Sequence, residues 1–366
     1  MKNQGVTRRN IIAPAAAIAR MAMVGLVLTC SSSQIAAEDP ISIQVDEIRQ
    51  SVSRSTLLLE KAAAGTAEKR VCFTCHGQAM PVLALVEAQR HGFAVDQENL
   101  QRQVRHTHAH LKRGKKSYTK GKGQGGGGDT AGYALWTLAD GGHEADDVTG
   151  AVTEYLLQNQ TPDGLWKCSS DRPPSETSDF TTTYLALRGL LTFSNDLESE
   201  RVAAAVAQAS VWLLEAEPRD TEDLVFGLLS AEYADVTPEY RDSLVENLMT
   251  NQRGDGGWAQ KPDMKSDPYA TSTVLYALHR SGLSRDDGCW VRGIGYLLDS
   301  QQEDGSWHVK TRSKPFQKYF ETGFPHAADQ FISTTATAWA TLALLFTLPE
   351  SLKDAAISET IETRGP

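Results

Sequence analysis

The sequence predicts an all-α protein, a single (α/α)6 toroid of six helical hairpins over about residues 42–348. Three observations carry this reading. A Q-x-(x)-D-G-x-W signature recurs at Gln160 to Trp166, Gln252 to Trp258 and Gln302 to Trp307. A signature repeated in one setting points to a repeat architecture. Each copy follows a helical run ending in Leu-Leu or Leu-Met and precedes a polar loop and a second apolar helix. Finally, the helices fall into two alternating series, one more apolar than the other. Helices of that kind close into a barrel with an inner and an outer layer.

The spacing also predicts where a worn copy should lie. Asp163 to Asp255 is 92 residues and Asp255 to Asp304 is 49. The first interval is close to twice the second. Trp212-Leu-Leu-Glu-Ala-Glu-Pro-Arg-Asp220 fills the gap, with Thr221 and Asp223 in place of the Gly and Trp. Helices leading into the loops are expected at about 146–159, 199–215, 238–251 and 290–301. Those following them are expected at about 180–192, 222–233, 269–281 and 332–347, and are richer in Ala, Leu, Thr and aromatics. Upstream, about 46–64 leads to about 79–90, and about 95–112 leads to about 130–139.

Within each repeat the residue types have physical roles. Gly in D-G supplies a left-handed turn at a helix end. Asp accepts from backbone N–H groups of a neighbouring turn. Gln and Trp from adjacent repeats are expected to stack and tie the outer ring.

Composition narrows the partners. The chain has 366 residues, 40 % hydrophobic and 22 % charged, as expected of a globular protein. Its net charge of −10, without a basic stripe in the repeat region, argues against nucleic acid. Lys112, Arg113, Lys115, Lys116, Lys120 and Lys122 cluster beside Gly125 to Gly128 and read as a solvated loop.

Residues 1–37 have the order of an export signal: Arg8-Arg9, an apolar run strongest at Met21 to Leu28, then Ala36-Ala37 before Glu38-Asp39. The mature protein is expected in the periplasm or outside the cell. Val27-Leu-Thr-Cys30 resembles a lipoprotein site without the usual small residues, so membrane association is expected only if Cys30 is lipidated. A Cys168–Cys289 disulfide fits that compartment. Residues 349–366 are expected to form a disordered tail.

The Q-x-x-D-G-x-W segments resemble the QW repeats of squalene-hopene cyclases and other triterpene cyclases. The hairpin register resembles the wider terpenoid cyclase and protein prenyltransferase toroids. This resemblance covers roughly residues 150–348 well and 42–150 weakly. It implies an apolar, isoprenoid-type ligand in a central cavity.

Candidate chemistry lies at the inner-helix starts. Asp129, Asp179, Asp267 and Asp329 stand at equivalent positions, and His326 precedes Asp329 by three residues. Equivalent helix ends converge on one mouth of a toroid, so these five residues are expected to line one cavity, with one carboxylate as general acid. Asp is also a preferred helix N-cap, which is the plainer reading of each one singly. In the cyclases, a D-x-D-D motif supplies the acid. That motif is absent here, and Glu144-Ala-Asp-Asp147 opens an outer helix instead. The prenyltransferases imply a zinc site, but the residue two after Asp267 is Tyr269 rather than Cys.

A second signal is Cys72-Phe-Thr-Cys75-His76, the C-x-x-C-H pattern of covalent haem c attachment. His106, His108, His110, His143 and His326 are candidates for a second axial ligand. A Cys72–Cys75 redox disulfide and a Cys/His metal site are the alternatives. In His106-Thr-His-Ala-His110 only His106 and His110 share a helix face, and a solvated face is the plainer reading. Three functions therefore remain open: an exported protein binding or transforming an apolar small molecule, an exported haem redox protein, and a non-catalytic binding domain.

Overall fold

The computed structural model describes residues 40–315 and 318–349. The proposed signal at 1–37, Cys30 and the tail from 350 lie outside the described residues. The described residues fall in one compact unit. Among the described residues there are twelve α-helices and no strand.

The outer helices are α1 (Pro40–Lys69), α3 (Gln97–Tyr118), α5 (Asp147–Asn159), α7 (Ser199–Glu215), α9 (Pro238–Thr250) and α11 (Gly288–Ser300). The inner helices are α2 (Met80–Arg90), α4 (Gly127–Asp140), α6 (Asp179–Phe193), α8 (Thr221–Ser230), α10 (Pro268–Arg280) and α12 (Gln330–Thr347). Each inner helix packs on the next, and α12 packs on α2, which closes the ring. The six predicted hairpins are all present. The chief difference in bounds is α3, which runs on to Tyr118, so Lys112, Arg113, Lys115 and Lys116 sit on a helix rather than in a loop.

The two layers differ as apolar patterning requires. Outer α9 buries only Leu244 and Leu248, so one stripe faces inward. Inner α12 is buried along nearly its whole length, from Gln330 to Leu345. Neighbours cover it all round, so its Thr and Ser hydroxyls are buried together with its apolar side chains.

The D-G-x-W loops are the joints of the ring. Gly164, Gly256 and Gly305 have φ of +94°, +84° and +90°. That left-handed backbone is open to Gly at no steric cost. A Cβ on Gly164 would lie 2.2 Å from the Gln208 carbonyl oxygen, and one on Gly256 would lie 2.5 Å from that of Arg292. Each glycine thus lets its loop seat against the next outer helix. The tryptophans close their own hairpins. Trp166, Trp258 and Trp307 donate from Nε1 to Leu156, Leu248 and Leu297 at 2.7, 2.7 and 2.8 Å. Their backbone N–H groups donate to Thr183, Thr271 and Thr337 of the following inner helix.

The glutamines tie the ring by hydrogen bonds. Gln160 donates to the carbonyls of Gly164 and Ala205, and Gln252 to those of Gly256 and Cys289. In the last loop the tying residue is Gln301, not Gln302. It reaches Gly305 and Ser51, joining the end of the chain to α1.

Candidate functional site

The N-termini of the six inner helices meet at one mouth of the barrel. Their first turns are rich in buried polar side chains: Thr130 on α4, Thr181 and Thr182 on α6, Glu222 and Asp223 on α8, Ser333 and Thr334 on α12. Over this mouth runs a strap, residues 167–178, that joins the first D-G-x-W loop to α6. It carries the buried Glu176 and an isolated bridge between Arg172 and Glu176.

The four inner-helix aspartates divide into three braces and one exception. Asp179 accepts from the Cys168 N–H at 2.8 Å and so pins the strap. Asp267 is the N-cap of α10, accepting from the Tyr269 and Ala270 N–H groups at 3.0 and 3.1 Å. Burial raises its carboxyl above the ordinary value. Asp329 accepts from the Thr311 N–H and lies 2.9 Å from His308. Burial pushes its carboxyl up, but those two partners outweigh it and hold it low. His326 bonds Ser306 at 2.7 Å and stacks on His308, in the last joint. None of these four side chains lines the two mouth cavities described below.

Asp129 caps no helix. It sits inside the first turn of α4, whose N-cap is Gly126. Its carboxyl is 1 % exposed, receives the Thr182 hydroxyl, and lies 3.3 Å from the Cys168 thiol. Burial, with Glu176 adding repulsion, raises it to about 7 against the Thr182 and Cys168 hydrogen bonds. A carboxylic acid is therefore half protonated near neutrality, which suits proton transfer.

Glu176 and Glu222 were not singled out from the sequence. Glu176 is 1 % exposed, pairs with Arg172, and lies 3.5 Å from His76 Nε2. Burial raises its carboxyl despite Arg172. Glu222 takes hydrogen bonds from Thr181 and from Tyr269 at 3.0 and 3.0 Å, and burial raises it well above the usual range. The gap beside it, under Pro174 and Arg312, is too small for water. One signal for Glu222 was available: the worn repeat keeps Asp220-Thr-Glu-Asp223 where the others carry Asp-Gly-x-Trp.

Two cavities open at the mouth and share Thr74, His76, Arg172, Lys314 and Pro315. The larger, about 810 Å³, is walled by Cys75, His76, His110, Thr130 and Glu176 among others. Asp129 is not among its walls, but its chain neighbour Thr130 is. The smaller, about 170 Å³, is mostly apolar, with Pro173, Tyr319, Phe331 and Ile332. The C-x-x-C-H segment thus faces the same mouth as the carboxylates. Cys72 is exposed, Cys75 is buried, and all four described cysteines are free thiols. The Cys168–Cys289 bridge is therefore not formed: Cys168 turns to Asp129 at the mouth, whereas Cys289 is buried in the first turn of α11. Burial and Arg172 depress His76 to about 4, so its imidazole is neutral near pH 7.

The far end of the barrel is closed by aromatic side chains. Trp136 of α4 meets Tyr184 of α6 and Trp339 of α12, at ring separations of 5.5 and 6.0 Å. Trp339 meets Tyr276 of α10 at 4.8 Å. Arg188 lies over Trp136 and pairs with Asp140 at 2.6 Å.

No family model matches the chain. A drimenyl diphosphate synthase from Streptomyces showdoensis is 27 % identical over 184 residues, which is 50 % of this chain and 26 % of that protein. The chain thus matches about a quarter of that relative's length. Among solved structures, the type II terpene cyclase MstE from Scytonema, in complex with merosterolic acid A, is similar over 84 % of this chain and 99 % of its own, with a TM-score of 0.50 and 12 % identity. A glycosidase is similar over the same shares, with a TM-score of 0.54 and 13 % identity. The chain resembles the terpenoid cyclase toroids in fold, and that fold also serves a glycosidase.

Proposed function

We propose that this chain binds an apolar, isoprenoid-type small molecule at the barrel mouth and delivers a proton to it from the Asp129–Glu176 carboxylate pair. The observation that carries this reading is Asp129: it is buried, has no capping duty, and is held near 7. Burial raises both carboxylates, and Glu176 adds repulsion at Asp129, which favours retention of a proton there. Glu176 walls the large cavity, and Asp129 stands behind Thr130 as the proton reserve. The neighbouring apolar walls of Phe331, Ile332, Tyr319 and Pro173 suit a hydrocarbon ligand. The Scytonema cyclase of similar fold is described with a terpenoid product, which supports the ligand class. Export directed by residues 1–37 belongs to the same reading.

The test is turnover and binding of polyprenyl probes by wild type, Glu176→Gln and Asp129→Asn. Glu176→Gln is expected to bind the probe and lose turnover, and wild-type turnover is expected to fall as pH rises through about 7. Unchanged turnover in both variants would overturn the acid assignment. Binding without turnover in the wild type would leave a binding protein.

A second reading rests on a separate observation: Cys72, Cys75, His76 and His110 all line the 810 Å³ cavity. Two free thiols and a neutral imidazole fit covalent haem, which Cys72 and Cys75 would hold and His76 would ligate. Such a group would supply one-electron transfer. Expression with cytochrome c maturation should then give haem staining that survives denaturation. Its absence would remove this reading.

A further inference from the structure

We propose that His108, His143 and Asp146 form a binding site for a divalent transition metal of the zinc class, on the outer ring and apart from the mouth. The three side chains come from two elements that are distant in sequence. His108 lies midway along α3. His143 lies in the α4–α5 connection, and Asp146 ends that connection as the N-cap of α5. Their ligand atoms all lie within 4.8 Å of one another. His108 Nε2 is 2.7 Å from Asp146 Oδ2, and His143 Nε2 is 3.4 Å from the same oxygen. The two imidazoles are 4.5 Å apart at their centroids. Ligand atoms on one zinc ion lie about 2.0–2.2 Å from it, hence roughly 3.4 Å apart in a tetrahedron, so a modest rearrangement of the three side chains closes the set.

The donors are already prepared for that role. Asp146 divides its labour between its two oxygens. Oδ1 accepts the Val148 and Thr149 N–H groups, and the Thr149 hydroxyl accepts from the Asp146 N–H to complete a capping box. That fixes the carboxylate and leaves Oδ2 facing both histidines. His143 Nε2 is shielded from solvent and makes no hydrogen bond. An ordinary His–Asp ion pair accounts for His108 alone. It does not explain a second imidazole turned onto the same carboxylate oxygen, 3.4 Å away and without a hydrogen bond of its own. Two imidazoles and one carboxylate suit zinc, nickel or copper better than magnesium or calcium. All three side chains are partly exposed, so a fourth position faces solvent. The sequence singled out His106 and His110 as the two that share a face of α3. His106 instead approaches the Cys72 carbonyl, and His110 walls the mouth cavity.

The experiment uses the full mature chain stripped with chelator and titrated with Zn²⁺ by competition calorimetry and with Co²⁺ by absorption. One equivalent is expected to bind. Its Co²⁺ spectrum should lack thiolate charge-transfer bands, and the metal should raise Tm. His143→Ala and His108→Ala should weaken binding by roughly 100-fold or more. Asp146→Asn keeps a good N-cap, so its metal-free Tm should stay close to wild type while metal affinity falls. His106→Ala is the control and should bind as wild type does. Unaltered affinity in His143→Ala overturns the proposal. So does binding that carries thiolate bands and vanishes in Cys72→Ser/Cys75→Ser, because the metal would then sit at the mouth.

Discussion

The two ends of the inner barrel are built from opposite materials. At the far end, Trp136, Tyr184, Tyr276 and Trp339 meet from four inner helices and fill the axis. At the mouth, the same helices begin with Thr, Ser, Asp and Glu, and the carboxylates Asp129, Glu176 and Glu222 are each buried. One end gains stability from packing. The other holds ionisable groups that burial penalises, an arrangement a protein retains where it needs perturbed acids. The fold alone does not fix the chemistry, so the groups that decide it are to be sought at the mouth.

The contrast can be broken at the far end first. Trp339→Ala removes the ring that Trp136 and Tyr276 share. It should cost about 3–5 kcal/mol in urea unfolding, with little change in the pH at which the mouth titrates. If the pH profile moves as much as the stability, the two ends are not separate.

At the mouth the sign is reversed. Asp129 has a folded pKa of about 7 against an ordinary carboxylate near 4. The folded state therefore holds its proton more tightly, and that advantage is complete below about pH 4. It is lost as pH rises through about 7. Asp129→Asn escapes the loss. The variant should be close to wild type at pH 4 and more stable at pH 8, by up to ~4 kcal/mol. Chemical denaturation at the two pH values checks this, and equal differences at both would contradict it.

Smaller effects sharpen the role of the joints. Gly256→Ala forces a Cβ onto the Arg292 carbonyl at a φ of +84° and should cost on the order of 1–3 kcal/mol. Gln252→Ala removes its hydrogen bonds to Gly256 and Cys289 and should cost about 1–2 kcal/mol. Asp179→Asn keeps an acceptor for the Cys168 N–H and should change stability by under about 0.5 kcal/mol, and turnover little. A large loss of turnover in Asp179→Asn would return the catalytic role to the braces.

The fold was legible because the joints repeat. Gly164, Gly256 and Gly305 each mark a left-handed turn that few other residues can make, and one such register locates every hairpin after residue 146. The worn joint at Trp212 to Asp223 was found by spacing alone. The site was less legible for a physical reason. An Asp at an inner-helix start reads alike whether it caps backbone N–H groups, as Asp267 does, or faces a neighbouring helix, as Asp129 does. Only the turn of α4 relative to α6, which brings Thr182 onto Asp129, separates the two. Glu176 was hidden because its position depends on how the strap folds back between Arg172 and His76. Helix-face arithmetic paired His106 with His110 and left His108 aside, because the neighbours of His108, His143 and Asp146, lie on another element.

The central claim is that Asp129 is a neutral-pH acid. Its most direct test is a carboxyl titration of the intact protein by isotope-edited infrared spectroscopy, with Asp129→Asn as the difference reference. The account predicts one protonated carboxyl band, absent from the variant, that disappears around pH 7. A band that disappears near pH 4, or a spectrum that Asp129→Asn leaves unchanged, would contradict it.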